Sequence, residues 1–166
     1  DDYMAFRGSD DQNLNVSSGS SIRGLILEKS SAGNTLTLLS PIYGLNGGDI
    51  SITTGCLNLN GKLYSSTGNV TIGSGGRLKV NAGAEFELAN GKILSVNSGG
   101  ILELIGISGN PAAISRQSGN YVCNIESGGL LRASYAVFEY MGVDGIHVKN
   151  GASIDNNYPL DHCTFR

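Results

Sequence analysis

The sequence predicts an all-β fold: a single-stranded right-handed parallel β-helix, three-faced, with about 24 residues per coil. Three observations lead there. Val70, Leu78, Phe86, Leu94 and Leu102 recur every eight residues. Their partners Ile72, Val80, Leu88, Val96 and Leu104 keep the same interval, so each unit reads apolar-x-apolar. Successive side chains leave a strand on opposite faces, so this alternation marks short strands with one buried side. Third, most units are separated by corners rich in Gly and Asn, such as Gly75-Gly76, Asn81-Ala82-Gly83, Asn90-Gly91 and Asn97-Ser98-Gly99-Gly100. Short strands and tight corners at fixed spacing describe a β-solenoid.

Taken in order, residues 1–45 are the least regular. Tyr3-Met4-Ala5-Phe6, Leu25-Ile26-Leu27 and Leu36-Thr37-Leu38-Leu39 read as strands, with Ser30–Asn34 as a turn. A solenoid end exposes unpaired backbone, so this segment is expected to form the N-terminal cap and first coils. Residues 46–105 carry the regular repeat. Ile50/Ile52 and Leu57/Leu59 lead into it, and Leu63 follows before the eight-residue spacing sets in at Val70. With three octads per coil, Val70 stacks on Leu94, Leu78 on Leu102 and Ile72 on Val96. Two octads per coil would give a two-faced solenoid, and the bulky Leu/Ile/Val/Phe interior favours three faces. Residues 106–166 continue as coils with longer loops and an uncapped C-terminus, with strands expected at 121–125, 130–131, 136–138, 146–148, 153–154 and 163–165.

Composition excludes several functions. Twenty-five glycines, three prolines and no tryptophan do not suit long helices. Charged residues make up 15% of the chain and the net charge is −3, so no basic stripe is available for nucleic acid. No apolar run approaches the roughly 18 residues of a membrane-spanning helix, so no membrane insertion is expected. Cys56, Cys123 and Cys163 lack CxxC spacing, which argues against structural zinc; they read as small interior or corner residues, with one disulfide plus a free thiol as the alternative. The Ser-Gly-Gly corners lack the Asp of calcium-binding β-roll repeats. No metal and no cofactor is expected.

The run from Gly47 to Gly61, with Thr53-Thr54-Gly55-Cys56-Leu57-Asn58-Leu59-Asn60-Gly61 at its centre, resembles the repeat of large secreted bacterial surface proteins of the Bacteroidota type. The opening Phe6-Arg7-Gly8-Ser9-Asp10-Asp11-Gln12 is similar to the start of such repeats. Ala133–Tyr140, Gly145–Val148 and Leu160–Phe165 resemble pectate-lyase-like right-handed parallel β-helix repeats. The resemblance implies the architecture and an extracellular or cell-surface location. It does not imply one activity, because these repeats occur in lyases, adhesins and scaffolds alike.

Three functions follow as expectations. The first is a structural or adhesive solenoid, not an enzyme, supported by the corners and by the lack of a catalytic cluster. The second is a glycan-binding module, for which Tyr121, Tyr135, Tyr140 and Tyr158, beside Phe138, would offer faces for sugar rings. The third is a polysaccharide lyase or hydrolase, for which Asp144, His147, Asp161 and His162, with Asp155 and Arg132, are the candidates. For that, carboxylates must stack on one face, and Asp144 and Asp161 are expected about one coil apart. A flat Thr/Ser/Asn face, an aromatic groove or a carboxylate-lined cleft would mark the three functions respectively. The chain stops at Arg166 directly after a strand, so either the native protein continues or this end meets another subunit, and repeated contacts of that kind would build a filament.

Overall fold

The computed structural model describes residues 3–17, 21–44 and 47–166. The chain forms a β-solenoid of about 7 turns with roughly 24 residues per turn, and all pairing between coils is parallel. The first coil holds β1 (Tyr3–Gly8) and β2 (Gln12–Leu14); the second holds β3 (Gly24–Lys29), β4 (Thr35–Leu38) and β5 (Ile42–Tyr43). In the third, β6 (Ile50–Asn58) turns a corner without breaking and is followed by β7 (Leu63–Ser66). The fourth contains β8 (Val70–Ile72), β9 (Gly76–Asn81) and β10 (Glu85–Leu88); the fifth, β11 (Ile93–Val96), β12 (Ile101–Ile105) and β13 (Ala112–Arg116). Then come β14 (Tyr121–Ile125), β15 (Leu130–Ser134) and β16 (Ala136–Phe138), and finally β17 (Met141–Val148), β18 (Ser153–Asp161) and β19 (Thr164–Phe165).

These strands make three faces. The first stacks β1, β3, the start of β6, β8, β11, β14 and β17, and the second stacks β2, β4, the end of β6, β9, β12, β15 and β18. The third stacks β5, β7, β10, β13, β16 and β19. Each face lines the interior with a ladder of like side chains. On the first face it runs Leu25, Ile50, Val70, Leu94, Cys123, Ile146. On the second it runs Leu36, Leu57, Leu78, Leu102, Leu131, Ile154. On the third it runs Ile42, Tyr64, Phe86, Ile114, Phe138, Phe165. The expected pairs Val70–Leu94, Ile72–Val96 and Leu78–Leu102 are all present. Leu78, Val80, Phe86, Leu88, Leu94, Val96, Leu102 and Leu104 are fully buried. Burying a side chain of this size stabilises the fold by about 1.5–3 kcal/mol, and the ladders repeat that gain coil after coil.

The corner between the first and second faces explains the Gly-Gly pairs. Gly55, Gly75, Gly99, Gly128 and Gly151 stack in a column with φ of 98°, 82°, 75°, 77° and 83°. Each N–H donates to the carbonyl of the next glycine along, at 3.0, 3.0, 2.8 and 2.8 Å. Left-handed backbone favours the first glycine of the pair. The second is needed for room: a Cβ on Gly76, Gly100 or Gly129 would collide with the carbonyl oxygen of Ile52, Ile72 or Val96.

Lys29 is buried near the start of this corner. Its ammonium donates to the carbonyls of Arg7 (3.4 Å) and Asp10 (2.7 Å) and to Gln12 Oε1 (2.6 Å), which ties the first two coils together. β2, β5 and β13 carry weak alternation and were not expected from the sequence. The last coil is the loosest. β17 is irregular between Met141 and Ile146 against β14, and β18 shifts register twice against β15.

Candidate functional site

The first of the two register shifts in β18 builds one wall of a surface groove. Leu131 pairs with Ile154 and Ala133 pairs with Pro159, so the segment Asp155-Asn156-Asn157-Tyr158 stands opposite the single residue Arg132 and bulges outward. Asp155 Oδ1 accepts the N–H of Asn157 at 2.9 Å, a local turn that pre-forms the bulge. Two coils earlier in this stretch of chain, the β12–β13 connection makes a tight hairpin in which Ile107 and Asn110 exchange backbone hydrogen bonds at 3.1 and 3.0 Å. Between hairpin and bulge lies an open groove of about 600 Å³ on the second face. Ile107, Tyr158, Lys79, Glu103, Arg132 and Asp155 are among its lining residues.

The floor is a charge ladder. Lys79, Glu103 and Arg132 occupy the same outward position on successive coils. Glu103 is nearly buried and is surrounded by Arg132 Nη1 at 3.3 Å, Arg77 Nη1 at 3.5 Å and Lys79 Nζ at 3.9 Å. A buried carboxylate with no such partners would be strongly destabilising, and these three cations offset its burial. Arg132 Nε also donates to Asp155 Oδ2 at 2.8 Å. The Asn157 N–H and this guanidinium hold the Asp155 carboxyl below its usual range. Asp155 is therefore ionised near neutral pH and carries no proton to donate.

The residues nominated from the sequence are scattered. His147 points outward on the first face, where it stacks on Asn124. Asp144 belongs to β17 on that same face, and its side chain lies outside the described residues. Asp161 and His162 form an exposed pair, Oδ2 to Nδ1 at 2.8 Å, at the corner between the second and third faces. Asp144 and Asp161 thus belong to one coil and to different faces, in place of the expected stack on neighbouring coils. Of the nominated residues, Arg132, Asp155 and Tyr158 are the ones that share the groove.

The aromatic groove expected from the tyrosines does not form. Tyr121 is fully buried, its hydroxyl donating to the Ile114 carbonyl at 3.3 Å. Tyr121, Cys123 and Ile125 alternate along one strand and all face inward, and burial pushes the Tyr121 hydroxyl well above its usual range. Tyr135 stacks on His162, and Tyr140 lies under the Arg116 guanidinium, 3.8 Å from its ring centroid. Lys79, Asn81 and Glu103 were missed. Their signal was present: Lys79 lies between Leu78 and Val80, and Glu103 between Leu102 and Leu104, the outward positions of their octads.

The first face is different. Its central outward ladder reads Ser51, Thr71, Ser95, Asn124 and His147 on five successive coils. It carries one small or polar residue per coil along the strip. Cys56 and Cys123 are buried, and among the described residues no group of His, Cys, Asp and Glu is placed to hold a metal ion. Compared with protein-family models, with curated proteins and with solved structures, the chain matches none.

Proposed function

We propose that this chain is a structural and adhesive solenoid module of an extracellular or cell-surface protein, one that projects or assembles and does not catalyse. The observation that carries this reading is the polar ladder from Ser51 to His147, a Ser/Thr/Asn strip running along the first face. Such a strip suits broad, shallow contact. The resemblance of the Gly47–Gly61 run to secreted surface repeats supports the location.

Protease shaving of intact cells that make the protein tests the location, and adhesion of beads coated with the purified chain tests the role. Release of peptides from this segment into the supernatant, together with bead retention on cells or matrix, is the expected result. Recovery of the segment in the cytosolic fraction overturns the location. Beads that adhere no better than albumin-coated beads overturn the adhesive role.

A further inference from the structure

The groove on the second face holds more hydrogen-bond donors than acceptors. Lys79 Nζ lies 3.9 Å from Glu103, beyond hydrogen-bond length, which leaves its three N–H groups to spend. Asn81 uses its carbonyl oxygen on the Gly61 N–H at 3.2 Å, and its amide NH₂ remains. Arg132 commits Nε to Asp155 and Nη1 to Glu103, and Nη2 remains. The carboxylates are neutralised by their neighbours: Glu103 Oε2 accepts from Arg132 and pairs with Arg77, Glu103 Oε1 faces the Lys79 ammonium without a hydrogen bond, and Asp155 accepts from Arg132 and the Asn157 N–H. Lys79 and Arg132 balance Glu103 and Asp155 within the lining, and Arg77, which reaches Glu103 from beside the groove, brings the cluster to three cations against two carboxylates in a chain whose net charge is −3.

We infer that this groove binds a sugar bearing a tetrahedral oxyanion ester, a sulfate or a phosphate. The oxyanion sits among Lys79, Asn81 and Arg132, and the ring lies against Tyr158. Geometry selects the tetrahedral anion over a carboxylate. A planar carboxylate is held best by the Nε/Nη fork of arginine, and on Arg132 the Nε side of that fork is taken by Asp155. The remaining donors come from three separate side chains, two on β9 and one on β15, which suits an ester with three outer oxygens. The lining suits a sugar: the aromatic Tyr158 and the apolar Ile107 both belong to it, and a space of about 600 Å³ lies within the usual range for small-molecule sites. This binding goes beyond the scaffold reading and does not rest on it.

Calorimetric titration of the whole chain with glucose 6-sulfate, glucose 6-phosphate, glucuronate, methyl glucoside and the two inorganic anions tests the inference. Both esters are expected to saturate one site, with glucuronate and inorganic sulfate or phosphate at least about tenfold weaker and methyl glucoside silent. The tighter ester identifies which anion the site prefers. Lys79→Gln and Tyr158→Ala should each weaken ester binding about tenfold, while Lys149→Gln, on the first face beside Glu126, leaves it unchanged. Because Lys79 also neighbours Glu103, Asn81→Ala serves as a second variant, with melting curves confirming that each protein is folded. The inference is overturned if neither ester binds, if glucuronate or the bare anions bind as tightly as the esters, or if folded Lys79→Gln and Asn81→Ala proteins bind like the parent.

Discussion

Tyr135 and His162 stack ring on ring across two coils, centroids 4.4 Å apart and planes 5° from parallel, and both hold left-handed backbone, with φ of 46° and 52°. Non-glycine residues pay for that conformation, and the stack helps to offset the cost at both positions. Tyr135→Ala keeps the strain and loses the stack, so it should lower stability by about 1–2 kcal/mol. Tyr135→Gly loses the stack and also removes the strain, so it should be less harmful. Urea denaturation of the two variants checks this, and a glycine variant weaker than the alanine one would contradict it.

Leu88 is fully buried at the end of β10. Leu88→Asp places an unpaired carboxylate in the interior and should cost several kcal/mol, enough to unfold much of the population at room temperature. Circular dichroism and a thermal melt report it directly. A variant with an unchanged melting curve would mean that the octad interior is misassigned.

Acid should weaken the wall of the groove. Asp155 is held below its usual carboxyl range by the Asn157 N–H and by Arg132. A carboxyl lowered in the folded state contributes stability that is fully present above its unfolded value and is lost as pH falls through its folded value. Asp155→Asn should therefore be less stable than the parent at neutral pH, and the difference should shrink as pH falls below about 4. Urea midpoints for both proteins across that range measure the gap. A gap that stays constant or widens in acid would count against the pairing.

The three thiols should separate by burial. Cys56 and Cys123 are buried, and burial pushes the Cys123 thiol up to about 12 and raises Cys56 as well. Cys163 is half-buried, and burial raises its thiol too. At about pH 8 a chromogenic disulfide reagent should label Cys163 alone in the folded protein, more slowly than glutathione, and the other two after denaturant is added. Peptide mapping identifies the labelled site. Rapid labelling of Cys123 in the folded chain would contradict its placement.

Incubation with pectin, alginate and heparin-like polymers should yield neither unsaturated products nor new reducing ends. Turnover that is lost in Asp144→Ala or His147→Ala would reverse that expectation.

The architecture was legible in the sequence because a coil is a local object. Val70–Ile72, its Gly-Gly corner and Leu78–Val80 carry their own period, and adding a fixed interval predicts what stacks on what. β13 escaped notice because it follows Pro111 with two alanines and offers one bulky inward residue, Ile114. Tyr121 could have been placed correctly, since period two puts it on the same side as Cys123 and Ile125. The groove was not legible in this way. Glu103 and Arg132 are 29 residues apart, and Arg132 and Asp155 are 23 apart. The first is one coil lengthened by longer loops, and Asp155 lies in a bulge outside the strand register, so the octad period alone could not bring these residues together.

The Ile107–Asn110 hairpin and the Asp155–Tyr158 bulge have a consequence for how such a surface can change through evolution. Both are extra lengths of chain pushed out beside the second face, and the inward residues flanking them, Leu104 and Ala133, still stack in register. The ladders that hold the fold and the loops that border the groove therefore answer to different mutations. Residues can be inserted, removed or exchanged in those loops while the interior stays as it is. A lineage of such chains could alter what the groove accepts in small steps, each leaving a folded protein, with no step requiring the core to be rebuilt.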